Sequence, residues 1–240
     1  MAILRLEKLA MSFGGLNVFS GIDLTVEKGQ IYGIIGTNGS GKTTLFNIIT
    51  GVYKPKAGKV YFDGENITGE KTWRLARKGI SRCFQTAAPF KSMSPLENVK
   101  VARGMAGRFS KDNELFSCDE ILELTGLSGK RHAVSGGLPL PDKKNVEIAR
   151  ALACNPKLLL FDEVSCGLSG REIYARMDLM RKLASYGLTI VVVEHIMMFI
   201  KEICGRVAVL HNGGVIAEGI PEEVAEDERV IEAYLGGSKP

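Results

Sequence analysis

Hydrophobic and polar positions alternate every second residue at the start of this chain, in "AILRLEKLAMSF" and again in "GIDLTVEKG", with turn residues between them. That alternation predicts two half-buried antiparallel strands. The pattern then changes. "GQIYGIIG" is a short apolar run ending in glycine, and "TNGSGKTTLFNIITG" behind it has helical spacing closed by Gly51. "GKVYFDGENI" reads as a hairpin about Asp63-Gly64. Between about Thr86 and Ala153 the pattern is helical and more polar, without strong strand signals. "PKLLLFDEV" and "LTIVVVEHI" are continuous runs rich in Val, Ile and Leu, as expected of strands buried on both faces of a parallel sheet. "RVAVLHNGGVIAEG" predicts a second hairpin, and "PEEVAEDERVIEAYLGG" a closing helical tail with Pro221 near its start.

This order predicts an α/β fold with a mainly parallel sheet, an antiparallel N-terminal β part and an inserted helical subdomain. The expected divisions are residues 1–85 for the antiparallel part and first half of the core, and 86–153 for the helical subdomain. Residues 154–220 would supply the second half of the core and 221–240 the helical tail. Composition changes this picture little. At 240 residues, 45% hydrophobic and 24% charged, the chain has ordinary globular proportions. Its net charge of +4 comes without a dense Lys/Arg run, so nucleic acid is not an expected partner. Cys83, Cys118, Cys154, Cys166 and Cys204 are scattered and form no C-x-x-C pair, which predicts reduced thiols rather than disulfides or a zinc site. "MAILRLEKLAMSF" has charges where a signal peptide needs apolar residues. Runs such as "LTIVVV" are far shorter than a membrane span. A soluble chain is expected, reaching any membrane through a partner.

"GTNGSGKTT", residues 36–44, fits G-x-x-x-x-G-K-[ST] between a predicted strand and a predicted helix. Gly36, Gly39 and Gly41 let the backbone curl so that its N–H groups, with those of Asn38, Ser40 and Thr44, point at phosphate oxygens. The start of the following helix adds a favourable dipole. Lys42 is expected to reach the β- and γ-phosphates, and Thr43 to offer its hydroxyl to Mg²⁺. "LLLFDE" supplies the complement. A buried strand ending in Asp162 sets a carboxylate beside Thr43, to hold Mg²⁺ directly or through water. Glu163 leaves the strand end and is placed to act as general base on the attacking water. These residues predict a P-loop NTPase.

Three further features narrow the class. Gln85, in "SRCFQTAAPF", lies where the core hands over to the helical stretch. His195 follows "IVVVE" at the edge where parallel sheets bind ligands. "EIARALACNP" is a predicted helix leading straight into the Asp-Glu strand. Singly, such a glutamine is more often a solvated side chain and such a histidine more often structural. In this order and spacing they resemble the ATP-binding subunit of an ATP-binding cassette (ABC) transporter, over essentially the whole chain.

The resemblance implies that Gln85 touches Mg²⁺ and the attacking water, that His195 contacts the γ-phosphate, and that Phe13 stacks on adenine. It implies ATP and Mg²⁺ as ligands. Its implied partners are a second ATPase subunit, transmembrane permease subunits and, indirectly, a solute-binding protein. The place would be peripheral, at the cytoplasmic face of the inner membrane. Permease contact is expected around residues 85–97, where "PFKSMSP" offers aromatic, basic and Met side chains. "RCFQ", "VEH" and the ending "VIEAYLGG" are similar, more narrowly, to the branched-chain (hydrophobic) amino acid uptake branch. The ATPase of lipopolysaccharide export closes similarly. A soluble regulatory or nucleic-acid-associated ABC ATPase is the other class to weigh. Such proteins usually carry two cassettes or long basic insertions, and this sequence has neither.

One segment departs from the family. Its signature loop, Leu-Ser-Gly-Gly-Gln, places the serine eleven residues before the arginine of "IAR" and grips ATP held by the opposite subunit. Here Ser135 precedes Arg150 by fifteen (150 − 135 = 15). The segment at the family's distance is "LPLPD", residues 138–142. Pro139 stands at the serine position and Pro141 at a glycine position, and proline offers neither a hydroxyl nor an N–H. Asp142 suits the start of a helix but would repel phosphate. Ser135-Gly136-Gly137 has the right groups, yet four extended residues span roughly 13 Å, an offset that needs the loop to fold back. Both registers remain open on sequence alone. Ser169 also replaces the aspartate usual seven residues beyond Asp162. The altered elements are those that act across a dimer, so a heterodimer with one weak site is favoured over a homodimer.

Overall fold

Three strands bury every residue they contain: β3 (Ile31–Gly36), β7 (Leu158–Asp162) and β8 (Thr189–Val193). Apolar side chains on both faces of a strand are stable only between two covering layers, and both layers are present. In this computed structural model, which describes residues 1–106 and 114–235, the three lie inside a six-stranded sheet of order β10-β9-β3-β8-β7-β6. Its remaining strands are β6 (Ile80–Cys83), β9 (Arg206–His211) and β10 (Gly214–Gly219). All neighbours in it run parallel except β9 and β10, which form a hairpin. Asn212 and Gly213 turn that hairpin with φ of 46° and 80°, the left-handed pair a two-residue connection needs.

The second sheet is antiparallel, in the order β2-β1-β4-β5. It comprises β1 (Ala2–Phe13), β2 (Leu16–Glu27), β4 (Ala57–Phe62) and the short β5 (Glu65–Asn66). Ile22, Leu24 and Val26 point inward while Asp23, Thr25 and Glu27 point out, as the alternation required. A bulge interrupts β1 at Lys8, whose φ is 45° and whose amide donates to the Asp23 carboxylate at 2.9 Å. β2 starts at Leu16, earlier than "GIDLTVEKG" predicts, because β1 and β2 continue pairing through the turn at Gly14.

The two faces of the parallel sheet belong to two separate cores. Tyr32, Ile34, Leu160 and Val191 pack with the antiparallel sheet and α1 (Lys42–Ile49). Ile35, Leu159, Phe161 and Val192 pack with helices on the other face. Those helices include α3 (Pro95–Ala106), α4 (Cys118–Leu124) and α5 (Leu140–Ala153), which lie within the stretch expected to be helical. They also include α6 (Gly170–Ser185) and α7 (Met197–Ile203). α2 (Thr72–Lys78) and β6 lie in a stretch where the periodicity signalled neither. The expected single tail is two helices, α8 (Pro221–Glu226) and α9 (Glu228–Leu235), broken at Asp227, whose carboxylate accepts from the Arg229 amide. Gly236-Gly237 of the "VIEAYLGG" ending lie outside the described residues. No helix among the described residues is long and apolar enough to cross a membrane.

The lead-in to α3 hangs on Asn98, which has no exposure at all. Its Oδ1 accepts from the Phe90 amide at 2.8 Å, and its Nδ2 donates to the carbonyls of Phe90 at 3.2 Å and Ser94 at 3.0 Å. Asn98→Ala would strand those backbone groups away from water. It is expected to lower unfolding stability by about 2 kcal/mol or more. Urea denaturation of the purified chain measures this, and a loss within about 0.5 kcal/mol, the range of an ordinary surface change, would contradict it.

Candidate functional site

Register places the site. Ile34 of β3 and Asp162 of β7 both pair with Val193 of β8, and Cys83 of β6 pairs with Phe161. Four parallel strands therefore end side by side. The loops leaving them carry residues 36–44, Gln85, Glu163 and His195 to one edge, where α/β sheets bind ligands.

In the loop after β3, sterics demand glycine. A Cβ at Gly41, whose φ is 98°, would lie 2.5 Å from Phe19 Cε1, and one at Gly36 would lie 2.3 Å from the Leu210 carbonyl oxygen. Gly39 is left-handed too, at 80°. The loop curls over Lys42, whose Nζ donates to the carbonyls of Gly36 at 2.8 Å and Thr37 at 3.0 Å. Burial pushes the Lys42 ammonium below its ordinary range, and the carboxylates of Glu163 and Asp162 pull it back. The Ser40 hydroxyl is buried without a hydrogen-bond partner. No side chain caps α1 at Gly41, and no acid sits in its first turn. An anion would satisfy these donors together. Thr43 and Asn38 are exposed, and Thr44 is half-buried beside them.

Glu163 is the centre of a second group. Its φ is 48°, unusual for a side chain of this size, and its amide donates to the Val193 carbonyl at 2.9 Å. Gln85 Nε2 donates to Glu163 Oε2 at 2.6 Å, and His195 Nε2 lies 2.6 Å from Oε1. Two residues from distant parts of the sequence thus meet on the carboxylate of a third. Asp162 is paired differently. Its Oδ2 accepts from Arg82 Nη2 at 2.5 Å, and both side chains are nearly buried.

For Mg²⁺ the expected donors are the Thr43 hydroxyl, the Gln85 amide and Asp162, with phosphate oxygens completing the set. This is a set of hard oxygens that suits the ion. It contains one carboxylate, that of Asp162. Phe13 is 42% exposed and meets Tyr53 edge-on with ring centroids 5.2 Å apart, so a ring face is available at the mouth of the first hairpin.

Sequence reasoning passed over several supports. Lys144 of α5 is buried, and its Nζ donates to the carbonyls of Val164 at 3.0 Å and Cys166 at 2.6 Å. Glu194 is also buried, its carboxyl raised by that burial, and accepts from the Ser165 amide at 3.0 Å. Both hold the loop that follows Glu163. Tyr53 and Arg82 went unnoticed as well. Charged residues in the interior carry no periodic signal, and only their distant partners explain them.

The two candidate signature registers part company here. Ser135 has no exposure, its amide donates to the Met93 carbonyl at 3.0 Å, and its hydroxyl accepts from Asn98 Nδ2 at 3.3 Å. The Gly136 amide donates to the Lys91 carbonyl at 2.9 Å. The two amides are thus engaged inside the chain, and burial withholds the hydroxyl. Residues 138–142 start α5 instead, with Pro139 at its N-cap. The repulsion expected from Asp142 is tempered, because Lys130 pairs with its carboxylate at 2.5 Å. Ser169 caps α6 in a reciprocal box with Glu172.

Comparison with known proteins places these features in company. Residues 19–165 match the sequence profile described as "ABC transporter", and 215–239 match "Branched-chain amino acid ATP-binding cassette transporter". The high-affinity branched-chain amino acid transport ATP-binding protein BraF of Pseudomonas aeruginosa is 35% identical, covering 98% of both chains. The lipopolysaccharide export system ATP-binding protein LptB of Haemophilus influenzae is 33% identical, again over 98% of both. A crystal structure of an ATP-binding cassette of an ABC transporter in its ADP conformation superposes with a TM-score of 0.88 at 33% identity, covering 98% of this chain and 99% of that one.

Ser135→Ala separates the two registers experimentally. With the hydroxyl buried against Asn98, the variant is expected to lose about 1 kcal/mol of stability and to leave any ATP-dependent association with a second subunit unchanged. Loss of that association at unchanged stability would show Ser135 serving a phosphate after all.

Proposed function

The chain belongs to the ATP-binding subunits of ABC transporters, and from that premise we propose that it hydrolyses Mg·ATP to drive import of branched-chain or other hydrophobic amino acids, or related small solutes. The observation that carries the reading is the convergence of Gln85 and His195 on Glu163 at the sheet edge that holds the glycine loop. The C-terminal match at 215–239 and the relatives named for branched-chain amino acid transport support the importer branch. LptB, named for lipopolysaccharide export, is similar over the same span at 33% identity.

In this reading residues 36–44 wrap the triphosphate, Lys42 reaches its β- and γ-phosphates, and Phe13 covers the adenine. Thr43, Asp162 and Gln85 hold Mg²⁺, which when bound offsets phosphate charge. Glu163 takes a proton from the water that attacks the γ-phosphorus as ADP leaves, and His195 contacts the γ-phosphate. Both Glu163 oxygens are engaged, one by Gln85 and one by His195. Each oxygen keeps a further lone pair, so Gln85 and His195 orient the carboxylate and leave it able to accept from the water.

Two surfaces support the partners. An apolar groove of about 490 Å³ between α2, β6, α3 and α5 exposes Val52, Trp73, Phe84 and Met105. It offers a transmembrane permease subunit a docking face, with a solute-binding protein acting beyond it and this chain peripheral at the cytoplasmic membrane face. Pro139, Pro141 and Ser169 leave this chain little to give ATP held by a second ATPase subunit. We therefore favour a heterodimer.

Glu163→Gln keeps the shape but cannot accept a proton, so it should retain ATP binding and lower kcat by about a hundredfold or more. Lys42→Ala should lose nucleotide binding itself. Turnover of purified protein with its partner decides, and an active Glu163→Gln would place the base elsewhere.

The heterodimer makes a second demand. Glu163→Gln in this chain should abolish most turnover, whereas the matching change in a partner bearing Leu-Ser-Gly-Gly-Gln should cost little. Equal losses would sink the asymmetric model.

A further inference from the structure

Arg82 is the residue the proposed mechanism leaves without a task. It sits on β6, three residues before Gln85, and its side chain is 5% exposed against 7% for Asp162. One arm of its guanidinium, Nη2, donates to Asp162 Oδ2 at 2.5 Å, and the other, Nη1, donates to Asn47 Oδ1 at 2.7 Å. Asn47 lies on α1, the helix that leaves the glycine loop. The guanidinium also lies over two rings, 4.6 Å from the centroid of Phe84 and 5.5 Å from that of Phe46. It is thus fixed from three sides. Lysine could not reproduce a planar, two-armed arrangement of this kind.

A carboxylate this buried is strongly destabilising when it has no counter-ion. Asp162 needs one whenever no metal is present. Yet a guanidinium and a divalent cation on the same carboxylate are like charges at close range, in surroundings that screen them poorly. The two must compete.

We propose that Arg82 is a positioning residue: the resident counter-ion of Asp162, which orients the carboxylate between nucleotide-binding events and yields it to Mg²⁺ when nucleotide binds. This rests on the reading of Asp162 as the metal-side carboxylate. Arg82 sets how much Mg²⁺ the site requires and keeps the strand end intact between turnovers. Its contact with Asn47 ties the same event to α1.

The test uses the full chain with a fluorescent ADP analogue, titrated with Mg²⁺, alongside thermal unfolding in EDTA and in saturating Mg·ADP. Arg82→Gln keeps hydrogen-bonding capacity and removes the charge. It should lower the Mg²⁺ midpoint for nucleotide binding about tenfold, as loss of a like charge in a partly buried site predicts. Its melting temperature should fall clearly in EDTA and recover most of the difference in Mg·ADP. Arg82→Lys, which restores the charge, should return the Mg²⁺ midpoint toward the wild-type value.

An unchanged or raised midpoint in Arg82→Gln would overturn the proposal. So would equal losses of melting temperature in EDTA and in Mg·ADP, since a merely structural arginine gives that result. Failure of Arg82→Gln to fold even with Mg·ADP present would overturn it too. Asp162→Asn separates this from the underlying reading. If that variant leaves the Mg²⁺ midpoint unaltered, Asp162 is not the metal-side carboxylate, whatever Arg82 does.

Discussion

Strands buried on both faces have little freedom of register, and this molecule's site rests on that constraint. Sliding β7 by one residue against β8 would turn Leu159 and Phe161 toward the antiparallel sheet and Leu160 toward the helices, exchanging two cores built for different shapes. The hydrophobic effect thus fixes where each strand stops. Since β3, β8, β7 and β6 are parallel neighbours, their ends align. The polar residues just beyond those ends are brought together by packing that never touches them.

Such an edge has a cost, because it draws charge and backbone polarity into poorly solvated space. The chain answers it with specific partners. Glu194 and Lys144 hold the loop after Glu163 from opposite sides, one through an amide and the other through two carbonyls. Arg82 answers Asp162. Lys42 turns back on its own loop. The Ser40 hydroxyl and the start of α1 are left without such partners, as are Arg82 Nε and the Ser165 hydroxyl nearby, so part of the polar deficit lies where the glycine loop would meet phosphate.

Much of this was legible in the residues, and the reasons differ by element. β7 and β8 announced themselves because burial on two faces leaves unbroken apolar runs. The glycine loop did so because few residue types survive its sterics. β6 did not. Four residues long and carrying Ser81 and Arg82, it reads as a polar connector, and only Asp162 and Asn47 explain its arginine. Lys144 was hidden in the same way, its carbonyl partners lying twenty and twenty-two positions further along. Ser135-Gly136-Gly137 misled for the opposite reason. Its groups suit phosphate, but Met93, Lys91 and Asn98 had already engaged them, and no pattern of residue types reveals a partner that is used up.

The left-handed backbone of Glu163 has a consequence for how the chain tolerates change. A glutamate at a φ of 48° is held there against its own preference, at roughly 1 kcal/mol or more. Glycine would sit at that position without strain. The strain is carried for the sake of the carboxylate, the shared partner of Gln85 and His195, which glycine would remove.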